Sequence, residues 1–170
     1  MPRPSVSDYA PFFQTYINYT SGKEYSILVQ QYNDRLIDSW TAIPLEKINF
    51  SYAPGKWTIK QMFQHVMDTE RIFAYRALAL SRKETISIPG FDENAYAENA
   101  TAAHRPWKDM LLEWKILRQS TNLMFNSFNE EQWKQKGIVS GNLMSVNAIS
   151  FIIFGHALHH LYILKEKYSI

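Results

Sequence analysis

The stretch SVNAISFIIFGHALHHLYILKEK, residues 145–167, decides the fold of this chain. No Asp, Glu, Lys or Arg lies anywhere from Gly137 to Leu164. A membrane-spanning helix also needs about 20 mainly apolar residues, but asparagines and three histidines interrupt this stretch, so we expect a buried core helix and no membrane partner. Ser145 is a suitable N-cap. The apolar residues that share one face of the helical wheel are Ile149, Ile152, Ile153, Ile163 and Leu164.

Three further long amphipathic segments precede this helix. Ser21 followed by Glu24 resembles a capping box that opens the first of them. Thr58 followed by Gln61 is a second such box and opens the next. Pro106, at a first-turn position, opens the third. The pattern therefore predicts four long helices.

The connection between the second and third long helices is unusually long. Residues Lys83 to His104 show no apolar periodicity and contain Pro, Gly and several Asn residues. A connection of this length lets the chain cross the end of a bundle. We therefore predict an all-α fold, a four-helix bundle of up-down-down-up order with a long crossover between helices two and three.

Shorter elements are predicted between these helices. Residues Asp8 to Tyr19 carry aromatic side chains at helical spacing and predict a short N-terminal helix. Asn129 with Gln132 predicts one more short capped turn. Gly137 to Met144 is expected to form a turn or a short ribbon.

Length and composition restrict the possible functions. The 170 residues, 46% hydrophobic and 20% charged, are typical of one folded domain, here residues 1–170. The net charge of +2, with no basic cluster, disfavours a nucleic-acid partner. The absence of cysteine excludes disulfides, iron–sulfur clusters and a cysteine nucleophile. The N-terminal residues lack a signal-peptide pattern, so a cytoplasmic location is expected.

Two histidines lie at the centre of the apolar face of the last helix. His156 and His160 are four residues apart, which places their Cβ atoms about 5–6 Å from each other. Buried imidazoles without partners are costly, and one metal ion satisfies both. The alternative is a pair of core histidines bonded to Tyr, Asp or backbone groups. His159 lies on the flank of the same face and could replace either neighbour, but the more central pair is preferred.

A zinc site with catalytic function typically has three protein ligands and one open position. His65, at the edge of the apolar stripe of the second long helix, is the better third ligand. His104, just before the third long helix, is expected at the surface or the helix start. A zinc-protease motif is excluded because Ala157 stands where that motif requires Glu.

Glu70 lies among apolar positions of the second long helix, about 140° from His65 on the helical wheel. The expected role is a buried ion pair with one arginine, and the candidates are Arg71, Arg76 and Arg118. Asp68, three residues after His65, is a candidate for orienting its ring.

Three segments carry a resemblance to a known family. They are APGKWTIKQMFQHVMDTERIFAYRALAL at 53–80, PGFDENAYAENA at 89–100 and GHALHHLYILKEKY at 155–168. Over residues Tyr16 to Tyr168 the chain resembles the DinB superfamily of metal-binding four-helix bundles. The resemblance implies a histidine triad of His65, His156 and His160 that holds a divalent metal. Zn or Ni is expected, and three imidazoles also accept Cu or Co. It also suggests a homodimer.

Activity is the least determined property. The family that the chain resembles includes thiol S-transferases and mycothiol-dependent isomerases. In these enzymes the metal binds the thiol of a low-molecular-weight cofactor and lowers the pKa of that thiol. The leading hypothesis is thus a thiol S-transferase acting on a small-molecule substrate in detoxification or stress response. The alternatives are a hydrolase that uses a metal-bound water, with Asp68 or Asp92 as carboxylate base, and a non-catalytic protein stapled by metal. A polar segment that resembles one in the family is also expected over the site, and it contains Phe91, Asp92, Glu93, Asn94 and Tyr96.

Overall fold

The computed structural model describes all 170 residues, and they are mostly helical. Four long helices form a bundle, accompanied by three short helices and one two-stranded antiparallel ribbon. In chain order the elements are α1 (Gln14–Tyr19), α2 (Tyr25–Thr41), α3 (Ile59–Ser81), α4 (Glu93–Asn99), α5 (Trp107–Asn126), α6 (Glu130–Trp133), β1 (Lys136–Val139), β2 (Asn142–Ser145) and α7 (Val146–Tyr168).

The last helix, α7, lies at the centre of the fold. It packs against α1, α2 and α3, and every residue from Val146 to Leu158 is buried. By length and composition α7 is apolar enough to cross a membrane, but 78% of its apolar window is buried inside the bundle. The core therefore accounts for the apolar run, as the sequence predicted.

The short helix α1 lies directly on α7 at Gly155. A Cβ atom at this position would lie 2.0 Å from the backbone oxygen of Tyr16. Only a residue without a side chain permits this approach. The close contact brings the Tyr16 ring edge-on to His156, with 5.3 Å between the ring centroids.

Three of the predicted helix starts are confirmed. Thr58 Oγ1 accepts a hydrogen bond from Gln61 N at 3.2 Å, and Thr58 N donates to Gln61 Oε1 at 2.8 Å. The same reciprocal box links Asn129 and Gln132 at α6. Ser145 Oγ accepts from the backbone N–H three residues on, at 2.9 Å.

The predicted start of the first long helix is wrong in its detail. Glu24 is the residue before α2, but its side chain makes no capping hydrogen bond. The hydroxyl of Ser21 instead lies 2.7 Å from the hydroxyl of Tyr32, eleven residues along the chain. Ser21 therefore forms its hydrogen bond with a side chain of α2 and not with the first turn of that helix. The N-terminal helix is also shorter than predicted. Its residues form 3₁₀ turns at 6–8 and 11–13 before α1 begins at Gln14.

The long connection between α3 and α5 is more regular than predicted. It contains α4, where the side chain of Asp92 accepts hydrogen bonds from the backbone of the first turn. The helix escaped prediction because its residues are mostly polar and exposed, so no apolar stripe marks it. Ile88 N donates to Ile138 O at 2.9 Å, and Ser140 N donates to Ile88 O at 2.9 Å. These bonds fix the connection to the ribbon.

A buried ion pair joins α3 to α5. Arg118 Nη1 lies 3.0 Å from Glu70 Oε2, and both side chains are almost fully buried. The expected ion pair of Glu70 is therefore confirmed, with Arg118 as its partner. Phe63 precedes Glu70 in α3 and Trp107 precedes Arg118 in α5, and the centroids of these two rings lie 4.9 Å apart. Earlier residues of α3 therefore contact earlier residues of α5. These pairings support the up-down-down-up order, with the crossover between α3 and α5, which we propose for the path of the chain.

Candidate metal centre

Three histidine side chains converge where α3 packs on α7. His65 comes from α3, and His156 and His160 come from successive turns of α7. His156 Nε2 lies 3.0 Å from His65 Nε2 and 3.1 Å from His160 Nε2. The potential ligand atoms of all three lie within 4.8 Å of one another, and all three residues are buried.

Hydrogen bonds among the three rings cannot satisfy this arrangement. An imidazole nitrogen carries either one proton or one lone pair. His156 Nε2 can therefore form a hydrogen bond with only one of the two nitrogens that flank it. A cation at the point where three lone pairs converge satisfies all three nitrogens together.

The geometry and protonation of the cluster fit a divalent metal. Zinc lies about 2.0–2.1 Å from imidazole nitrogen, so two nitrogens on one tetrahedral ion are about 3.3 Å apart. Burial lowers the pKa of His65 to about 4, and burial also lowers the pKa values of His156 and His160 well below their ordinary range. The rings are therefore neutral at pH 7, as metal ligands must be.

Aromatic and hydroxyl groups hold the ligand rings. Trp57 packs against His65 with 4.8 Å between centroids. Thr69 Oγ1 lies 3.5 Å from His65 Nδ1, one turn further along α3. Asp68, the predicted orienting group, does not contact His65. Its carboxylate instead accepts from Gln64 Nε2 at 2.9 Å.

The remaining histidines lie outside the cluster. His159 Nδ1 lies 3.3 Å from the hydroxyl of Tyr19, and its ring packs beside Tyr16. It lines the cavity described below, but its nitrogens are not part of the three-histidine group. His104 is exposed in a 3₁₀ turn before α5, where the sequence placed it.

The three histidines form part of the wall of a cavity of about 460 Å³. This volume is within the range of small-molecule sites, about 300–1,000 Å³. The walls come from distant parts of the chain: the N-terminal segment, α3, the α3–α5 connection, the ribbon and α7. The principal aromatic residues among them are Phe12, Phe13, Tyr16, Trp57, Phe73 and Phe91.

The carboxylates proposed from sequence lie away from this cavity. Asp68 faces a separate surface depression beside α4. Asp92 is the N-cap of α4, where its side chain accepts two backbone hydrogen bonds. Glu93, the next residue, is the one carboxylate that lines the cavity. Glu93 is exposed. Burial of Tyr16, together with the charge of Glu93, raises the pKa of Tyr16.

Comparison with known proteins identifies the family and the fold. The model of the DinB superfamily matches residues 28–164, which include all three histidines. The chain belongs to the DinB superfamily. The sequence-based recognition of this family is confirmed.

Relatives of this DinB chain are similar to it over most of its length. "Putative metal-dependent hydrolase OB0413" of Oceanobacillus iheyensis is 20% identical over 143 residues, covering 83% of this chain and 82% of that protein. YfiT from Bacillus subtilis, described as a probable metal-dependent hydrolase with an unusual four-helix bundle topology, matches with a TM-score of 0.74 at 16% identity, covering 98% of this chain and 91% of YfiT. A mycothiol-dependent maleylpyruvate isomerase matches with a TM-score of 0.62 at 9% identity, covering 88% and 59%. At these identities the two structures show a shared fold.

Several cavity residues of the DinB chain escaped sequence reasoning. The sequence presents Arg76 only as a candidate partner for Glu70, but in the structure Arg76 lines the cavity. A signal for this position exists, because Arg76 is eleven residues after His65 and hence about 20° from it on the helical wheel. Phe13 and Ser140 reach the cavity only through tertiary packing, and no local pattern marks them.

Proposed function

We propose that this DinB-superfamily chain is a metal-dependent hydrolase of a small organic substrate. The observation that carries the proposal is the convergence of three buried Nε2 atoms, which cannot all bond to one another, on the wall of a cavity of about 460 Å³. When bound, a divalent cation supplies Lewis acidity and lowers the pKa of a water molecule in its open position. The names of the Oceanobacillus relative and of YfiT support the same class of reaction.

The chain's own residues have distinct roles in this proposal. His65, His156 and His160 hold the cation, and Thr69 orients the ring of His65 through Nδ1. The aromatic walls of the cavity bind the apolar part of the substrate and exclude bulk water. Glu93, the one carboxylate of the cavity, accepts the proton that a nucleophilic water must lose.

Hydrolysis by the metal-loaded protein tests the proposal. We would supply a panel of small aromatic esters, amides and phosphoesters and follow product release with zinc or nickel bound. Wild type is expected to hydrolyse at least one class, and His156→Ala to lose that activity. His104→Ala, which changes an exposed histidine outside the cluster, is the matched control and should keep it. Activity that survives in His156→Ala would overturn the proposal.

The role of Glu93 has its own control. Glu93→Gln is expected to lower kcat about 100-fold or more, the usual contribution of a general base. Asp68→Asn changes a carboxylate on the same side of the bundle that does not line the cavity, and it should leave kcat unchanged. If the two variants lose activity equally, Glu93 is not the base.

A thiol S-transferase is the second candidate. The likeness to a mycothiol-dependent isomerase favours it, and the absence of cysteine means that a cofactor would have to bring the thiol. Metal-loaded protein would be given low-molecular-weight thiols with monochlorobimane or chlorodinitrobenzene. Turnover that requires both thiol and metal supports this reading, and hydrolysis without any thiol supports the first.

We further propose that the bound metal is Zn or Ni and that the protein acts in the cytoplasm. Three neutral imidazoles suit both ions, and availability decides between them as much as geometry does. Metal analysis of protein purified without an affinity tag from cells grown with both ions would identify the occupant. A third metal in the purified protein would contradict the assignment.

A further inference from the structure

Arg76 is a buried arginine that has no acidic partner. It is only 3% exposed and lines the same cavity as the three histidines. No carboxylate lies within 4.0 Å of its guanidinium. The other buried arginine, Arg118, is paired with Glu70 at 3.0 Å, as a buried cation in a protein normally is.

The guanidinium of Arg76 is held in place by three separate elements. Its centre lies 5.0 Å from the Phe73 ring and 5.8 Å from the Phe91 ring. Its Nη2 donates to Pro89 O at 3.1 Å and to Ser140 Oγ at 3.2 Å. Its buried Nε has no partner. The group is therefore fixed, with donor capacity that the protein itself does not use.

A fixed guanidinium of this kind suits a planar anion. Burial lowers the pKa of Arg76 because the charged form is poorly solvated, and an anion in the cavity would offset that cost. Arginine presents parallel N–H donors that match the two oxygens of a carboxylate. We propose that Arg76 binds a carboxylate group of the substrate, so that the cavity selects small aromatic or aliphatic carboxylic acids. The inference rests on the proposed function, since it assigns the substrate of the same cavity.

The position of Arg76 also indicates the shape of the substrate. Arg76 and His65 lie on one side of α3, eleven residues or about three turns apart, and both line the cavity. The substrate therefore extends along the cavity, with its carboxylate at Arg76 and its reacting group at the histidines. Phe73 lies between them on the same helix, beside Phe13, and provides an apolar wall for the body of the molecule.

The charges that line the cavity indicate whether the anion bound at Arg76 is a carboxylate or a phosphate. It is the one acidic group of the cavity and is exposed to water, which screens its repulsion of a single negative charge. At Arg76 a dianionic phosphate would find only one cationic side chain, whereas the charge and shape of a carboxylate are matched by a single guanidinium. The observations therefore favour a monoanionic carboxylate.

Binding of a matched acid and amide tests the inference. Isothermal titration calorimetry of the metal-loaded protein would compare 4-phenylbutyrate with its neutral analogue 4-phenylbutanamide. Wild type is expected to bind the acid about tenfold or more tightly than the amide. Arg76→Gln should abolish that preference, so that acid and amide bind equally. Arg82→Gln, at an exposed arginine at the end of α3, should retain it.

Other outcomes would overturn the assignment. Equal affinity of wild type for acid and amide would do so, as would no measurable binding of the acid. A preference that survives in Arg76→Gln but disappears in His156→Ala would mean that the carboxylate binds the metal instead. If Arg76→Gln does not fold, Arg76→Lys replaces it, and a preference as large as that of wild type contradicts recognition by the guanidinium.

The titrations and the hydrolysis panel together separate this inference from the proposed function. An acid preference that depends on Arg76, in a protein that hydrolyses nothing in the panel, leaves the carboxylate site standing and removes the hydrolase. The converse result is hydrolysis that proceeds equally well with neutral and carboxylate-bearing substrates and is unchanged in Arg76→Gln. That result keeps the hydrolase and removes the carboxylate site at Arg76.

Discussion

The two buried arginines of this chain show how the surroundings of one residue type separate structural from functional roles. Arg118 has an acidic partner, and its guanidinium also lies 4.3 Å from the ring of Phe154. Arg76 has only neutral acceptors and faces a cavity. The charge of Arg118 is therefore balanced within the protein, whereas the charge of Arg76 has no acidic partner and faces the cavity.

Breaking the buried ion pair should destabilise the fold. Arg118→Met leaves Glu70 buried without its partner and should lower the free energy of unfolding by about 3–5 kcal/mol. The double variant Glu70→Leu/Arg118→Met should recover most of that loss, because no uncompensated charge remains. Urea unfolding measures both.

The exposed pair of Lys134 and Glu130 provides the control. Lys134→Ala should leave the unfolding midpoint unchanged, because water and salt screen such a pair. If Arg118→Met unfolds at the same urea concentration as wild type, the buried pair does not have the role assigned here.

At the scale of the element, prediction succeeded where the partners lie close in sequence. The caps at Thr58 and Ser145 depend on groups three residues away, and the spacing of His156 and His160 depends on one helical turn. It failed where a more distant group intervenes, as the Tyr32 hydroxyl does at Ser21. The walls of the cavity escaped for the same reason, since packing rather than local pattern places them. The helix α4 escaped because its exposed polar residues form no apolar stripe.

Because α1 contacts α7 at Gly155, replacing this glycine by alanine should destabilise the protein, although the same change usually stabilises a helix. In an isolated helix Gly155→Ala would stabilise by about 1 kcal/mol. Here the added Cβ would lie 2.0 Å from Tyr16 O, so α1 must move away from α7. We expect a lower melting temperature and weaker metal binding, because Tyr16 packs on His156. Thermal unfolding and a zinc titration measure the two effects, and a raised melting temperature would contradict the close packing.

At the scale of the whole molecule, the core does not depend on the metal centre. One hydrophobic cluster joins 37 buried residues from all four long helices, among them Trp40, Phe63 and Trp114. The histidines lie where α3 and α7 already pack on each other. A bound ion therefore adds to a bundle that has its own core.

This leads to a prediction about metal removal. The metal-free chain should keep its helical circular dichroism and unfold in one cooperative transition. Zinc at about 100 times its dissociation constant should add roughly 2.7 kcal/mol, which corresponds to roughly 5–10 °C in melting temperature. Loss of helical structure on chelation would instead indicate a metal that staples the fold, and an unchanged melting temperature would indicate no binding.

The central claim is that His65, His156 and His160 hold one divalent ion. The most direct measurement is elemental mass spectrometry of untagged protein, in wild type and in the four alanine variants at these positions and at His159. We expect about one ion per chain in wild type and in His159→Ala, and none in the other three variants. No metal in wild type after reconstitution, or metal retained when any of the three ligands is removed, would contradict it.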